Sequence, residues 1–371
     1  MGKKTKICMF FNTAARYRQA IYSDIDKEYE CDWFFNREES SIKRMDLSLL
    51  KNIHFYNCYG DSKRLFWRGK LITNLFKKKY KNFFVLSEVR NLSLWFFTIL
   101  KILLYPDKTL YGWSHGWYGR ESKFQKRLDR WRINRMDGLF LYNKRARDIM
   151  IEGGINPEKL FVIGNSLDYD KQLKIRKKID GSDIYLRHFN NNYKTLIFIG
   201  RLIKPKRIDI LLQALYLLKE RGEKYNVVLV GDGEIKTSLE ELSKSLGLNV
   251  WFYGACYDET INAELIYNAD LCISPGNVGL TAIHSLMFGT PVITSDDFTH
   301  QGPEAEAIKD GITGCFFSNG NSSSLADAIS RWVKNNINRS TIRQLCYNEI
   351  ERQWTPYYQM KVIKENLKLK E

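Results

Sequence analysis

The seven cysteines of this 371-residue chain (Cys8, Cys31, Cys58, Cys256, Cys272, Cys315 and Cys346) never fall in C-x-x-C or Cys/His ligand spacing. No zinc site is expected from them, and an odd, dispersed set reads as reduced thiols. A secretory signal is missing too: Met1-Gly2-Lys3-Lys4-Thr5-Lys6 has no apolar core, and Lys6 stands where a myristoylation pattern wants Ser or Thr. Residues 91–105 are apolar but carry Lys101, and the run falls short of the roughly twenty residues needed to cross a bilayer. It reads as a buried or interfacial helix. No internal repeat or low-complexity tract stands out. The chain is expected in the cytoplasm.

What is present is ample apolar material and a lopsided charge. A hydrophobic fraction of 44% is too high for a disordered chain, and the length suits two domains. The formal charge is +16; residues 1–170 hold 32 Lys and Arg against 19 Asp and Glu, while 171–371 hold 26 against 23. The excess therefore belongs to the first half. No nucleic-acid-binding motif accompanies it, so a nucleic-acid partner is not expected. Residues 62–81 hold eight basic residues and no acidic one, and there Trp67, Leu71 and Leu75 fall at helical spacing, as do Leu65, Ile72 and Phe76. Such a helix suits the headgroup region of an anionic bilayer, or it packs on its own domain.

Short apolar runs alternate with helical patterns along the whole chain, at 7–11, 33–35, 83–86, 109–113, 139–142 and 161–163, and again at 196–199, 227–230, 250–252, 271–274, 292–294 and 315–317. Strands alternating with ten-to-fifteen-residue helices make parallel, doubly wound sheets. Two such series predict two Rossmann-like domains, residues 1–167 and 168–350, with a helical tail at 351–371. Residues 170–192, rich in Lys, Asp and Asn, read as a connector.

After the run 196–199 comes Gly200-Arg201-Leu202-Ile203-Lys204-Pro205-Lys206, where a strand ends and a helix begins. Two cations at a strand-end turn beside a helix N-terminus suit a diphosphate. Then follow, in order, Val230-Gly231-Asp232-Gly233, Tyr253-Gly254, Ala269-Asp270 with Pro275, Gly279-Leu280, Gly289-Thr290-Pro291-Val292-Ile293, Ala305-Glu306 and Asp310-Gly311-Ile312-Thr313-Gly314. A dinucleotide reading of Gly231-Asp232-Gly233 fails, because the third glycine is absent and the first strand of the domain does not precede it.

The ordered set, over residues 193 to about 335, resembles the donor half of GT-B glycosyltransferases of the retaining family 4, the type that builds bacterial surface polysaccharides such as lipopolysaccharide or capsule. The resemblance implies an α/β fold of two Rossmann-like domains facing across a cleft, the second binding a nucleotide-sugar donor. It also implies a final helix that crosses back onto the first domain. The resemblance further implies transfer with neither a metal nor another cofactor. The acceptor is expected to be a lipid-linked glycan at the inner face of the cytoplasmic membrane. A nucleotide-sugar epimerase or a pseudoenzyme that only binds nucleotide or glycan are the alternatives.

Site residues follow from the same resemblance. Arg201 and Lys206 are assigned to the donor diphosphate, with Gly200, Gly231, Tyr253, Asn277, Val278, Gly279, Leu280 and Thr281 around the donor. The family places two glutamates eight residues apart across this loop; here Gly276 and His284 stand there. His284 is read as a ribose contact and Glu306, rather than Glu304, as the Pro-Glu carboxylate. His115, at a strand end in Trp113-Ser114-His115-Gly116-Trp117, resembles the family's His beside the reacting sugar, and is grouped with Arg201 and Lys206 as catalytic. Arg16, Arg18 and Trp117 are expected on the acceptor side.

Overall fold

The computed structural model describes residues 6–37, 43–60, 64–335 and 338–370. The reading of residues 1–5 as neither signal nor lipidation site lies outside these, as do residues 62 and 63 of the basic stretch. The chain forms two compact units, one of Met1–Asp168 with Thr355–Glu371, the other of Tyr169–Trp354.

The first unit's strands are β1 (Lys6–Phe10), β2 (Glu30–Asn36), β3 (Asn52–Tyr56), β4 (Tyr59–Gly60), β5 (Phe66–Trp67), β6 (Asn82–Leu86), β7 (Thr109–Ser114), β8 (Gly138–Leu141) and β9 (Leu160–Val162). Seven of them form one sheet in the order β3-β2-β1-β6-β7-β8-β9, parallel throughout. Its inner strands carry no charge over most of their length because both faces are covered, the condition that makes a parallel sheet read as continuous apolar runs. The filling is aromatic: Phe11, Tyr22, Trp33, Phe84, Trp113 and Phe140 are all buried and in ring contact. β3 escaped the sequence reading because it is an edge strand whose Asn52 and His54 are exposed.

The last helix, Pro356–Asn366, starts on Thr355, whose hydroxyl accepts from the Tyr358 amide. Its Val362 and Ile363 join the aromatic core of the first unit. Ser166 donates to Gln359 at 2.6 Å, and Lys364 pairs with Glu28 at 2.7 Å. The expected boundary at 350 falls inside the helix Arg339–Gln353, so the chain changes unit after Trp354.

Two sequence expectations are corrected. Residues 65–76 are not one helix: Phe66–Trp67 pair with Tyr59–Gly60 as a hairpin, and the helix is only Gly69–Leu75. Leu71 and Leu75 are fully buried, so that stripe packs inward, while Leu65 and Phe76 stay exposed. The segment 170–192 is no plain connector either. It holds the helices Tyr169–Arg176 and Ile184–Phe189, and Tyr185 is buried with its hydroxyl donating to the Leu265 carbonyl. Residues 92–104 do form a helix, with Leu94 and Phe97 in the core and Phe96, Leu103 and Leu104 outside. Among the described residues no helix is long and apolar enough to cross a membrane.

The second unit's strands are β10 (Lys194–Ile199), β11 (Tyr225–Val230), β12 (Val250–Gly254), β13 (Leu271–Ser274), β14 (Val292–Ser295) and β15 (Gly314–Phe317). They form a parallel sheet in the order β12-β11-β10-β13-β14-β15. The order reverses beside β10, which places a crevice at the strand C-termini of β10 and β13. This core is aliphatic, with Leu196, Ile197, Val228, Leu229, Ile273 and Ile293 fully buried.

Candidate functional sites

In the second unit the turns after β10 and β11 are laced together. The Gly200 amide donates to the Val230 carbonyl at 2.9 Å and the Leu202 amide to Asp232 at 2.9 Å. Gly231 has φ +153°, and a Cβ there would lie 1.8 Å from the Gly200 carbonyl oxygen. Only glycine fits so close an approach.

The chain then makes a 3-10 turn over Lys204–Lys206 and enters the helix Ile208–Glu220. This turn grips the loop after β13: Lys206 Nζ donates to the Asn277 carbonyl at 2.6 Å, and the Gly276 amide donates to the Lys206 carbonyl at 3.0 Å. A Cβ on Gly276 would meet the Pro205 oxygen at 2.1 Å. The packing of the Lys206 turn thus explains why no carboxylate stands at 276.

From the other side, buried Gln301 accepts from the Val278 amide at 2.7 Å and donates to the carbonyls of Gly276 and Ser295. Gly279 then begins the helix Leu280–Met287. The first-turn amides of a helix have no intrahelical partners and favour an anion. Glu304, 4% exposed, points its Oε2 to within 4.0 Å of where a Gly279 Cβ would be. Loss of water first, and the Arg201 charge second, hold the Lys206 ammonium below its ordinary range, with Glu304 opposing.

The structure therefore brings together Gly200, Arg201, Lys206, Gly231, Asn277, Gly279 and Leu280 around one set of turns. It adds Glu304, which the sequence reading ranked behind Glu306. The signal was the dipeptide Pro303-Glu304, set aside on spacing to Gly311. Glu306 lies half-buried in the same short turn, Pro303–Ala307, with its carbonyl accepting from Lys309. Two expected contacts serve the scaffold. Val278 is fully buried with its amide taken by Gln301, and the Thr281 hydroxyl donates to the Ile199 carbonyl at 3.1 Å. Tyr253, on β12, is half-buried against Trp251.

His284 lies on the same helix with Nε2 2.9 Å from Glu259 Oε1, an oxygen that also accepts from Gln172 at 2.8 Å. Burial works against the Glu259 carboxylate, but the His284 hydrogen bond and charge, with Gln172, hold it below the usual carboxylate range. Glu259 begins the helix Glu259–Asn268, and no local spacing links it to His284.

In the first unit a cavity of about 600 Å³ opens at the C-terminal ends of β1, β6 and β7. Arg18, Ser87, His115, Trp117 and Arg132 line it. Arg16 is exposed and is not among its lining residues. His115 opens onto the cavity beside the Tyr142 ring, 4.7 Å away. Its imidazole is held below its ordinary range by the protein crowding round it and then by the Arg18 guanidinium. Trp117 is buried, with Nε1 donating to Asp129 at 3.2 Å. Ser87 and Arg132 were absent from the sequence expectations; each is an ordinary polar residue until the sheet brings them together.

Residues 187–348 match the family described as Glycosyl transferases group 1. The match covers most of the second unit, Tyr169–Trp354. An uncharacterized glycosyltransferase of Methanocaldococcus jannaschii is 25% identical over 225 residues, 57% of this chain and 53% of that protein. The chain thus spans about half the length of this curated relative. Anabaena HepE, solved in complex with UDP, has a TM-score of 0.74 at 17% identity, covering 98% of this chain and 99% of that one. The lipopolysaccharide outer core galactosyltransferase WaaB, solved in its apo form, has a TM-score of 0.70 at 17% identity with the same coverage. The fold is GT-B, two Rossmann-like domains.

Proposed function

We propose that this protein is a retaining glycosyltransferase. It moves a sugar from a nucleotide-diphosphate donor to a lipid-linked glycan in surface-polysaccharide assembly. The observation that carries this reading is the juxtaposition of Arg201, Lys206 and Glu304 at the start of the helix Leu280–Met287. The bond from the anomeric carbon to the diphosphate breaks, and negative charge grows on the leaving phosphate. Arg201, Lys206 and the helix amides neutralise it without a metal. The acceptor oxygen bonds to the same face of the anomeric carbon, and its proton passes to the leaving phosphate. Glu304 accepts hydrogen bonds from the sugar hydroxyls, a role that Gly276 has no side chain to fill. His115, kept neutral by its surroundings, serves as a hydrogen-bond partner near the sugar rather than as a cation.

A peripheral place on the inner face of an anionic membrane is part of the proposal. Its support is the exposed apolar face of Leu92–Leu104, with Phe76 5.9 Å from the Tyr105 ring and Lys77, Lys78 and Lys79 adjoining. Thermal-shift measurement against UDP-, GDP- and ADP-sugars tests the donor reading. One set should stabilise the protein, with UDP-sugars first to try because the similar Anabaena protein was solved with UDP. Stabilisation by none of them overturns it.

A further inference from the structure

Resting on that transferase reading, we propose that the cavity of the first unit takes an acceptor bearing an anionic oxyacid group, a phosphoryl ester or a carboxylate, with Arg18 as its charge partner. Arg18 is 7% exposed. Its Nη atoms donate to the hydroxyls of Tyr22, at 2.9 Å, and Tyr142. The rings of Tyr17, Tyr22, Trp113 and Tyr142 stand 5.5, 5.9, 5.8 and 5.7 Å from its guanidinium carbon. Nε has no partner, and among the described residues no carboxylate pairs with it.

The two other buried arginines nearby are differently placed. Arg68 holds Glu88 at 2.6 Å and Arg132 holds Asp129 at 2.7 Å. The remaining acid on the cavity wall, Glu121, accepts from the amides of Tyr118 and Gly119. Arg18 is thus left as a buried cation surrounded by rings and hydroxyl dipoles, an arrangement that is unfavourable unless a counter-charge arrives.

A second observation points the same way. Arg132, 2% exposed, also lines the cavity with an unpartnered Nε, and its Nη1 donates to Ser87 Oγ at 2.8 Å. With its oxygen so engaged, the Ser87 hydroxyl is left to donate its proton. Two guanidinium groups and a hydroxyl side chain lining one cavity are the chemistry that a phosphoryl or carboxylate group pairs with.

The test is calorimetric titration of the full chain with glucose 6-phosphate, methyl glucuronide and neutral methyl glucoside. At least one charged probe should bind roughly tenfold or more tightly than the neutral one, as one charge-assisted contact warrants. Preference for the phosphate ester assigns a phosphoryl group, and preference for the glucuronide a carboxylate. Arg18→Gln should abolish the preference and Arg18→Lys retain part of it. If Arg18→Gln does not melt cooperatively, Arg18→Met, whose apolar chain suits the surrounding rings, takes its place. Equal binding of charged and neutral probes, no binding of either charged probe, or a preference that survives loss of the Arg18 charge overturns the proposal. No transfer is involved, so failure here leaves the donor reading standing, and failure of the nucleotide-sugar panel leaves these titrations intact.

Discussion

The two units share one plan, a parallel sheet with helices between its strands, yet they make their sites from different material. The second builds its site from backbone: glycine turns packed within ångströms of neighbouring carbonyls, a helix N-terminus, and two cations set at the end of β10. The first builds a cavity from side chains, with arginines buried among aromatic rings. A backbone site demands particular residues at fixed local spacing, so it stands in the chain as an ordered motif. A side-chain cavity demands only that distant residues meet.

The sharpest way to break this comparison is at Arg201 and Lys206, the cations proposed to hold the diphosphate. Arg201→Ala and Lys206→Ala should each lower kcat/KM about 100-fold or more, the usual effect of losing a preorganised charge contact. Folding should survive, since Arg201 is exposed and Lys206 is partly so. The lowered Lys206 ammonium adds a pH signature. A bound diphosphate draws its pKa back up, so donor binding should take up a proton at alkaline pH. Affinity should then fall as pH rises through the lowered value. Calorimetry in buffers of different ionisation enthalpy reads this directly.

Next in size is Gly276→Glu, which supplies the carboxylate that the family resemblance leads one to expect. With the Pro205 oxygen 2.1 Å from the new Cβ, it should cost about 2 kcal/mol in stability by overpacking and weaken donor binding. An unchanged melting temperature with improved affinity would show that the loop is not held by backbone packing. His284→Glu should likewise fail to help, because it sets a second carboxylate against Glu259, 2.9 Å from the present His284 Nε2. His284→Ala, which strips a hydrogen bond from the partly buried Glu259, should cost roughly 1–2 kcal/mol and raise donor KM more than it lowers kcat. Unchanged nucleotide binding by calorimetry would make the pair purely structural.

The smallest effects belong to the surface of the first unit. Replacing Lys77, Lys78 and Lys79 together by Glu should weaken binding to anionic liposomes several-fold, and binding of the unaltered chain should fall with salt. Salt-independent sedimentation with neutral liposomes would leave only the apolar face of Leu92–Leu104. Arg16→Ala should change turnover by less than about twofold, as expected of an exposed residue away from the cavity wall. A large loss there would place the acceptor outside the cavity.

How much was legible follows from this contrast. The inner strands, the two-series alternation and the tail helix after Thr355-Pro356 were visible because local apolar runs, caps and periodicity report burial and backbone conformation directly. Arg201, Lys206 and the glycine turns were visible because close backbone approach tolerates few residues. Helical spacing misled at Trp67, since pairing of Phe66–Trp67 with Tyr59–Gly60 outweighed the helical pattern and left a helix only seven residues long. Spacing also favoured Glu306, while it is the fold that carries Glu304 to Gly279.

By itself, then, the chain determined two parallel α/β units and the ordered glycine-rich loops, because those depend on neighbours in sequence. Only the tertiary structure decided that Gly276 has no room for a side chain, that His284 meets Glu259 from 25 residues away, and that Arg18 lies buried in one cavity wall with Ser87 and Arg132. Each of these is a contact between segments whose approach is set by how the sheets and helices pack, and no local pattern encodes it.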